Sequence, residues 1–221
     1  MSIYKALVIV HVILFAYWLG ADWGVYVNSR YVADGKLSLE ERYRFLLASF
    51  RIDLMPRIAF TLLPAVGLQI ASFYGAWPAT GPLMIGVWIG SLLWLAMNVA
   101  GYRLRGTPRG EQLRQVDQWV RIVLVVVCIG IGGFASLTGQ LIPVRFVAFK
   151  LTVFGVMIVI GLVLRAIMKN WALGFRLLGS EGPSAKVDRL FESSLARAKV
   201  IAWGMWSMSG LMAFLGIVQP G

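Results

Sequence analysis

One cysteine, Cys128, and one histidine, His11, are all that this chain of 221 residues offers of those two types. A lone cysteine excludes a disulfide framework and a thiolate metal cluster, which leaves Cys128 as a small packing residue. A lone histidine excludes a bis-histidine haem within one chain. No Ser–His–Asp set can be built around it, and no nucleotide-binding loop is present, so the residues give no basis for a hydrolase. Acidic residues are scarce as well, 10 against 21 Lys and Arg. The resulting formal charge of +11 would suit nucleic acid if it formed one patch, but it is split among short segments and no nucleic-acid partner is expected. The first apolar run lacks a small-x-small cleavage pattern, and apart from Lys5 its positive charges follow it, so it is expected to stay in the mature protein. No internal repeat is visible.

What is abundant is apolar sequence. Hydrophobic residues make up 59% of the chain and its mean hydropathy is +0.76, beyond what a soluble monomer of this size carries, so lipid must cover much of it. The apolar runs are 3–28, 56–78, 82–102, 119–139, 144–168 and 198–218, each long enough to cross ~30 Å of hydrocarbon as a helix. Eighteen of the Lys and Arg residues fall in three stretches between them, 29–57, 103–121 and 165–199. The other connections, 77–82 and 138–145, carry only Arg145. Cytoplasmic loops hold positive charge, so the expectation is an all-α bundle of six transmembrane helices in a bacterial inner membrane, with both termini outside. A single domain spans 1–221, built as three helical hairpins, with the lipid bilayer as its first partner. A homo-oligomer or a membrane redox partner is compatible with this class.

Local signals refine the loops. Ser38 followed by Glu41 is a capping-box pattern. After it, Leu39, Tyr43, Leu46, Leu47 and Phe50 recur at helical spacing opposite Arg42, Arg44 and Arg51, which predicts an amphipathic helix at the cytoplasmic interface in the first inner loop. In 184–199, Val187, Leu190, Phe191 and Leu195 recur among charges, which extends the sixth span into the cytoplasm. Gly75, Pro78, Gly81 and Pro82 mark one outer turn, Gly139 and Pro143 the other. Small residues four apart, Gly20/Gly24, Gly86/Gly90 and Cys128/Gly132/Ser136, would let the first, third and fourth spans approach closely. Pro64 should bend the second span.

Ionisable groups at membrane depth are costly and mark function by default. His11 lies in the outer half of the first span and Lys150 in the outer half of the fifth, at similar depth. Two readings of His11 stand side by side: a hydrogen bond to another helix, or ligation of haem or a metal ion. Asp22 lies in the inner half of the first span. With Asp53 and Arg57 it reads as an ion-pair network at the bilayer margin, or as a proton or substrate relay leading inward. Asp117 and Arg121 read as a surface i,i+4 pair. Gln69 and Asn98 are expected to hydrogen-bond between helices. Met205, Met208 and Met212 share one face of the sixth span, as packing groups or as soft Cu(I) ligands.

The run from His11 to Trp18 and Gly20, a histidine followed by Trp-x-Gly, resembles the opening of a group of small bacterial membrane proteins. That group includes CopD-type copper-resistance domains and HemJ-type protoporphyrinogen oxidases. The run from Arg145 to Lys150 and Leu151 is similar to the Lys-Leu helix opening in the same group. The HemJ-type resemblance implies that His11 and Lys150 serve haem and catalysis.

Three function classes follow. The first is a haem b redox protein, with His11 as axial ligand, Lys150 as opposite ligand or propionate partner, and Trp18 lining the macrocycle. The second is a permease for copper or another small solute, with His11 and methionines as ligands or Asp22 as a proton site. The third is a non-catalytic assembly subunit.

Overall fold

A computed structural model describes residues 1–73, 75–77 and 81–219. Pro78, expected in the first outer turn, and the end of the 56–78 run lie outside them. Among the described residues there is helix and no strand: α1 (Ile3–Val32), α2 (Leu39–Ile52), α3 (Leu54–Phe73), α4 (Pro82–Arg103), α5 (Pro108–Thr138), α6 (Arg145–Glu181) and α7 (Ala185–Val218). Six segments are long and apolar enough to cross a membrane: α1, the α2–α3 stretch, α4, α5, α6 and α7. The chain is a multi-pass membrane protein, and apolar side chains such as Leu93, Val126 and Leu137 point outward, where lipid covers them.

The boundaries follow from local chemistry. The α2 capping box forms as expected: Ser38 Oγ accepts from the Glu41 N–H at 3.3 Å, and Glu41 Oε2 accepts from the Ser38 N–H at 2.9 Å. Thr107 caps α5 ahead of Pro108, and Ser184 caps α7. Gly139 ends α5 with φ 72°, a left-handed conformation that costs glycine little. A single residue, Asp53, separates α2 from α3.

The membrane helices form a closed ring. α1 packs on α3, α3 on α4, α4 on α5, α5 on α6, α6 on α7, and α7 returns to α1. Water supplies little drive for helix association inside lipid, so shape and hydrogen bonds must hold the ring. Its interior is filled by Trp18, Phe60, Leu63, Trp94, Phe154 and Met157, with Phe60 stacked on Phe154 at 4.7 Å between ring centroids. Cys128 and Met205 belong to the same core, and Met208 and Met212 pack against it.

Close approach concentrates at α5–α6. A Cβ at Gly132 would stand 2.7 Å from the Thr152 amide nitrogen, and one at Gly155 2.7 Å from Ile129. The expected role for Cys128 and Gly132 is therefore seen. It is not seen for Gly20, Gly86 and Gly90, which have nothing within 4 Å; their faces are turned outward. Gly24 meets only the Ile52 side chain, at 3.4 Å.

α6 and α7 run past the bundle. At 1.5 Å per residue, 37 and 34 residues span about 55 and 50 Å, well over the ~30 Å of hydrocarbon. Their extension packs as a second core of Val32, Ala33, Trp171, Leu178, Val187 and Phe191, with Leu195 against it, so the stretch 184–199 does continue the last span as a helix. One residue of the charged face of α2 departs from expectation. Arg42 is the most buried residue of the helix at 1% exposure, while Leu39, Tyr43 and Leu47 are exposed. Arg42 turns in because its partners are remote in sequence. Its Nε donates to the Val32 carbonyl at 2.8 Å, its Nη1 to Asp188 at 3.0 Å, and its guanidinium lies 4.2 Å over the Phe191 ring. Gly35 leaves room for the Asp188 carboxylate, which a Cβ there would meet at 2.7 Å.

Candidate functional site

The ring encloses polar groups at two levels, with the aromatic core between them. Away from the basic loops, His11 of α1 and Lys150 of α6 converge. Their helices are not neighbours in the ring, so the side chains approach across its interior, close enough for their charges to act on each other. Gly67 of α3 admits the imidazole: a Cβ at position 67 would stand 3.2 Å from His11 Cε1. Gly216 of α7 admits the amine, which a Cβ there would meet at 3.1 Å from Lys150 Nζ. His11 Nδ1 is buried with no hydrogen-bond partner. Lys150 makes no hydrogen bond or ion pair among the described residues.

The other expected site residues lie apart from this pair. Trp18 sits two turns along α1 from His11, about 10 Å. There it packs edge-on against Phe60 at 5.4 Å and Phe15 at 6.2 Å, as part of the core. Asp22 is further still, about 16 Å along α1 from His11, and does not share a site with Lys150. It accepts a 2.7 Å hydrogen bond from Trp206 Nε1 of α7, and Trp206 is packed among Trp23 at 4.9 Å, Trp203 at 5.3 Å and Tyr26 at 5.6 Å.

The expected trio of Asp22, Asp53 and Arg57 divides. Asp53 and Arg57 form an i,i+4 ion pair, with Arg57 Nε donating at 2.7 Å. Asp22 feels the charge of Asp53 but has no ion pair among the described residues. Its neutral partner, Trp206, is 184 positions away, and sequence spacing carries no sign of it.

At the basic end, Asp117 and Arg121 are not a surface pair. Each side chain is only 7% exposed. Asp117 accepts from four groups: Arg121 Nε at 3.0 Å, Arg165 Nη2 at 2.5 Å, Trp94 Nε1 at 2.7 Å and, more loosely, Asn98 Nδ2 at 3.5 Å. They come from α4, α5 and α6, which explains why spacing within α5 alone revealed only one of them. Asn98 is an interhelical partner as expected, and Gln69 accepts from Trp88 Nε1 at 3.1 Å. Arg57 lies within electrostatic reach of Asp117, Arg121 and Arg165. In the turn beyond α4, Arg105 stacks 3.5 Å over Phe50; burial, then the like charge of Arg57, push its pKa below the ordinary arginine value.

Among the described residues no group of three or more His, Cys, Asp or Glu side chains is arranged to hold a metal ion. A bare imidazole nitrogen and an unpaired amine in the same interior are, however, a donor set that fits a haem: the imidazole suits iron, the neutral amine would suit iron, and its ammonium form would pair with a propionate. Comparison with models of known protein families, with curated proteins and with solved structures gave no match.

Proposed function

We propose that the protein is a haem b-binding redox protein of a bacterial inner membrane, related to the CopD and HemJ-type group. It would form one domain with both termini outside and α2 resting at the cytoplasmic interface. The orientation is supported by the eighteen Lys and Arg residues in 29–57, 103–121 and 165–199, alternate connections that would lie on one side. The observation that carries the haem reading is His11 Nδ1, buried and unpartnered, with the Lys150 amine within electrostatic reach of it. A buried polar atom without a partner is costly, and a ligand is the simplest way to satisfy it.

In this reading His11 would hold the iron, and Lys150 would bind a propionate or move a proton at its Nζ. Gly67 keeps the imidazole seated against α3. The core of Trp18, Phe60 and Phe154 lies between the pair and the basic end. Haem would supply the electron transfer itself. Solute transport is the second reading, favoured by Asp22, a membrane carboxylate held by one neutral donor and able to serve as a proton site.

The test is a reduced-minus-oxidised visible spectrum of the purified protein beside His11→Ala and Lys150→Ala. Haem bands lost in His11→Ala and shifted in Lys150→Ala support the reading. A colourless protein after haem supplementation sinks it, and proton-coupled uptake that fails in Asp22→Asn would then establish transport.

A further inference from the structure

The cluster at the basic end is unbalanced. Asp53 and Asp117 face Arg57, Arg121 and Arg165, and Arg105 adds a further positive charge within reach of Arg57 and Asp53. Buried charge is tolerated when it is paired and its hydrogen-bond capacity is met. Here Asp117 is saturated by its donors, while the guanidinium groups are not. Arg165 gives Nη2 to Asp117 and leaves Nη1 buried with no partner.

The exposure is graded. The side chains of Asp117 and Arg121 are each 7% exposed, that of Arg165 24% and that of Arg57 34%. The buried and the more exposed members of the cluster are both cationic, and Trp94 packs 5.1 Å from the Arg121 guanidinium.

From this we infer that the basic end of the ring holds a phosphate-binding site built from Arg57, Arg121 and Arg165. Guanidinium forks match the planar spread of phosphate oxygens and remain charged at any working pH. Basic recesses between transmembrane helices take lipid phosphates, and a free phosphate offers the same chemistry. The site is independent of the haem reading. Arg165 is fifteen residues from Lys150 on α6, about 22 Å, beyond the reach of one porphyrin held at His11.

The experiment uses the full chain in nanodiscs of phosphatidylcholine alone, or with phosphatidylglycerol added. Thermal melts are run in chloride and in inorganic phosphate at equal ionic strength, with native mass spectrometry on the same samples. A rise in Tm of roughly 5 °C in phosphate without anionic lipid identifies a free anion as ligand. A similar rise with phosphatidylglycerol only, with retained lipid in the mass spectrum, identifies a headgroup. In either case Arg165→Gln should abolish the rise. Should that variant fail to fold, Arg165→Lys, which keeps the charge and loses the second nitrogen, should reduce the rise by half or more. Equal Tm in all four conditions, with no more lipid or phosphate retained than by Arg165→Gln, would overturn the proposal, as would a rise that survives both substitutions.

Discussion

Arg42 of α2 and Asp188 of α7 are 146 positions apart in the chain and 3.0 Å apart in the fold. The pair closes the end of the molecule that carries the basic loops, and its two members are not equally dependent on each other. Arg42 is buried, while the Asp188 side chain is 30% exposed. Removing the carboxylate strands a buried guanidinium; removing the guanidinium leaves a carboxylate that water can reach. Asp188→Ala should therefore cost about 3 kcal/mol in thermal unfolding. Arg42→Met added to it should recover much of that loss, because an apolar chain of similar length suits the site once the acid is gone. A double variant no more stable than Asp188→Ala would contradict this account.

The α5–α6 contact yields a packing prediction. Gly132→Ala and Gly155→Ala each place a methyl group less than 3 Å from a neighbouring helix. Each should lower stability by about 1–3 kcal/mol through overpacking. Gly86→Ala, made on an open face, should change it by less than about 0.5 kcal/mol. Melting curves of the three proteins in the same nanodisc decide the matter.

Gly67→Ala tests the seat of His11. The new methyl would lie 3.2 Å from the imidazole Cε1, so the ring must shift by a few tenths of an ångström. If haem is bound at His11, its absorption maxima should move and its dissociation should speed up, read as haem transfer to an acceptor protein. Gly20→Ala on α1, the helix of His11, with nothing within 4 Å, should leave both unchanged.

Trp206→Phe removes the hydrogen bond to Asp22 while keeping most of the aromatic packing. A carboxylate that loses its donor inside the membrane should cost about 1–3 kcal/mol. Asp22→Asn, which preserves an acceptor for the indole, should cost less. The order of the two melting temperatures is the measurement, and a reversed order would mean that packing around Trp206 outweighs the hydrogen bond.

Local features of this fold could be read from the chain alone. The apolar runs, the Ser38–Glu41 box and the helical spacing of Val187 and Phe191 depend on neighbours within a few residues. The same short range explains the failures. The burial of Arg42 is not legible in α2 because it takes its acid from a helix at the far end of the chain. Asp117 looked like half of a surface pair because Trp94 and Arg165, which bury it, lie on other helices. His11 and Lys150 were separately visible as ionisable groups at similar depth. Their convergence depends on ring order, which hydropathy does not encode, and Gly67 and Gly216 gave no sign of their role until α3 and α7 were in place.

α6 carries Lys150 and Arg165 on one unbroken helix. Fifteen steps of about 100° return the second side chain to within about 60° of the first. Both therefore address the inside of the ring from the same rod. An axial rotation of α6 sweeps them together, and a sliding motion raises or lowers both. The two levels of polar groups, with the aromatic core between them, thus ride on one rigid helix.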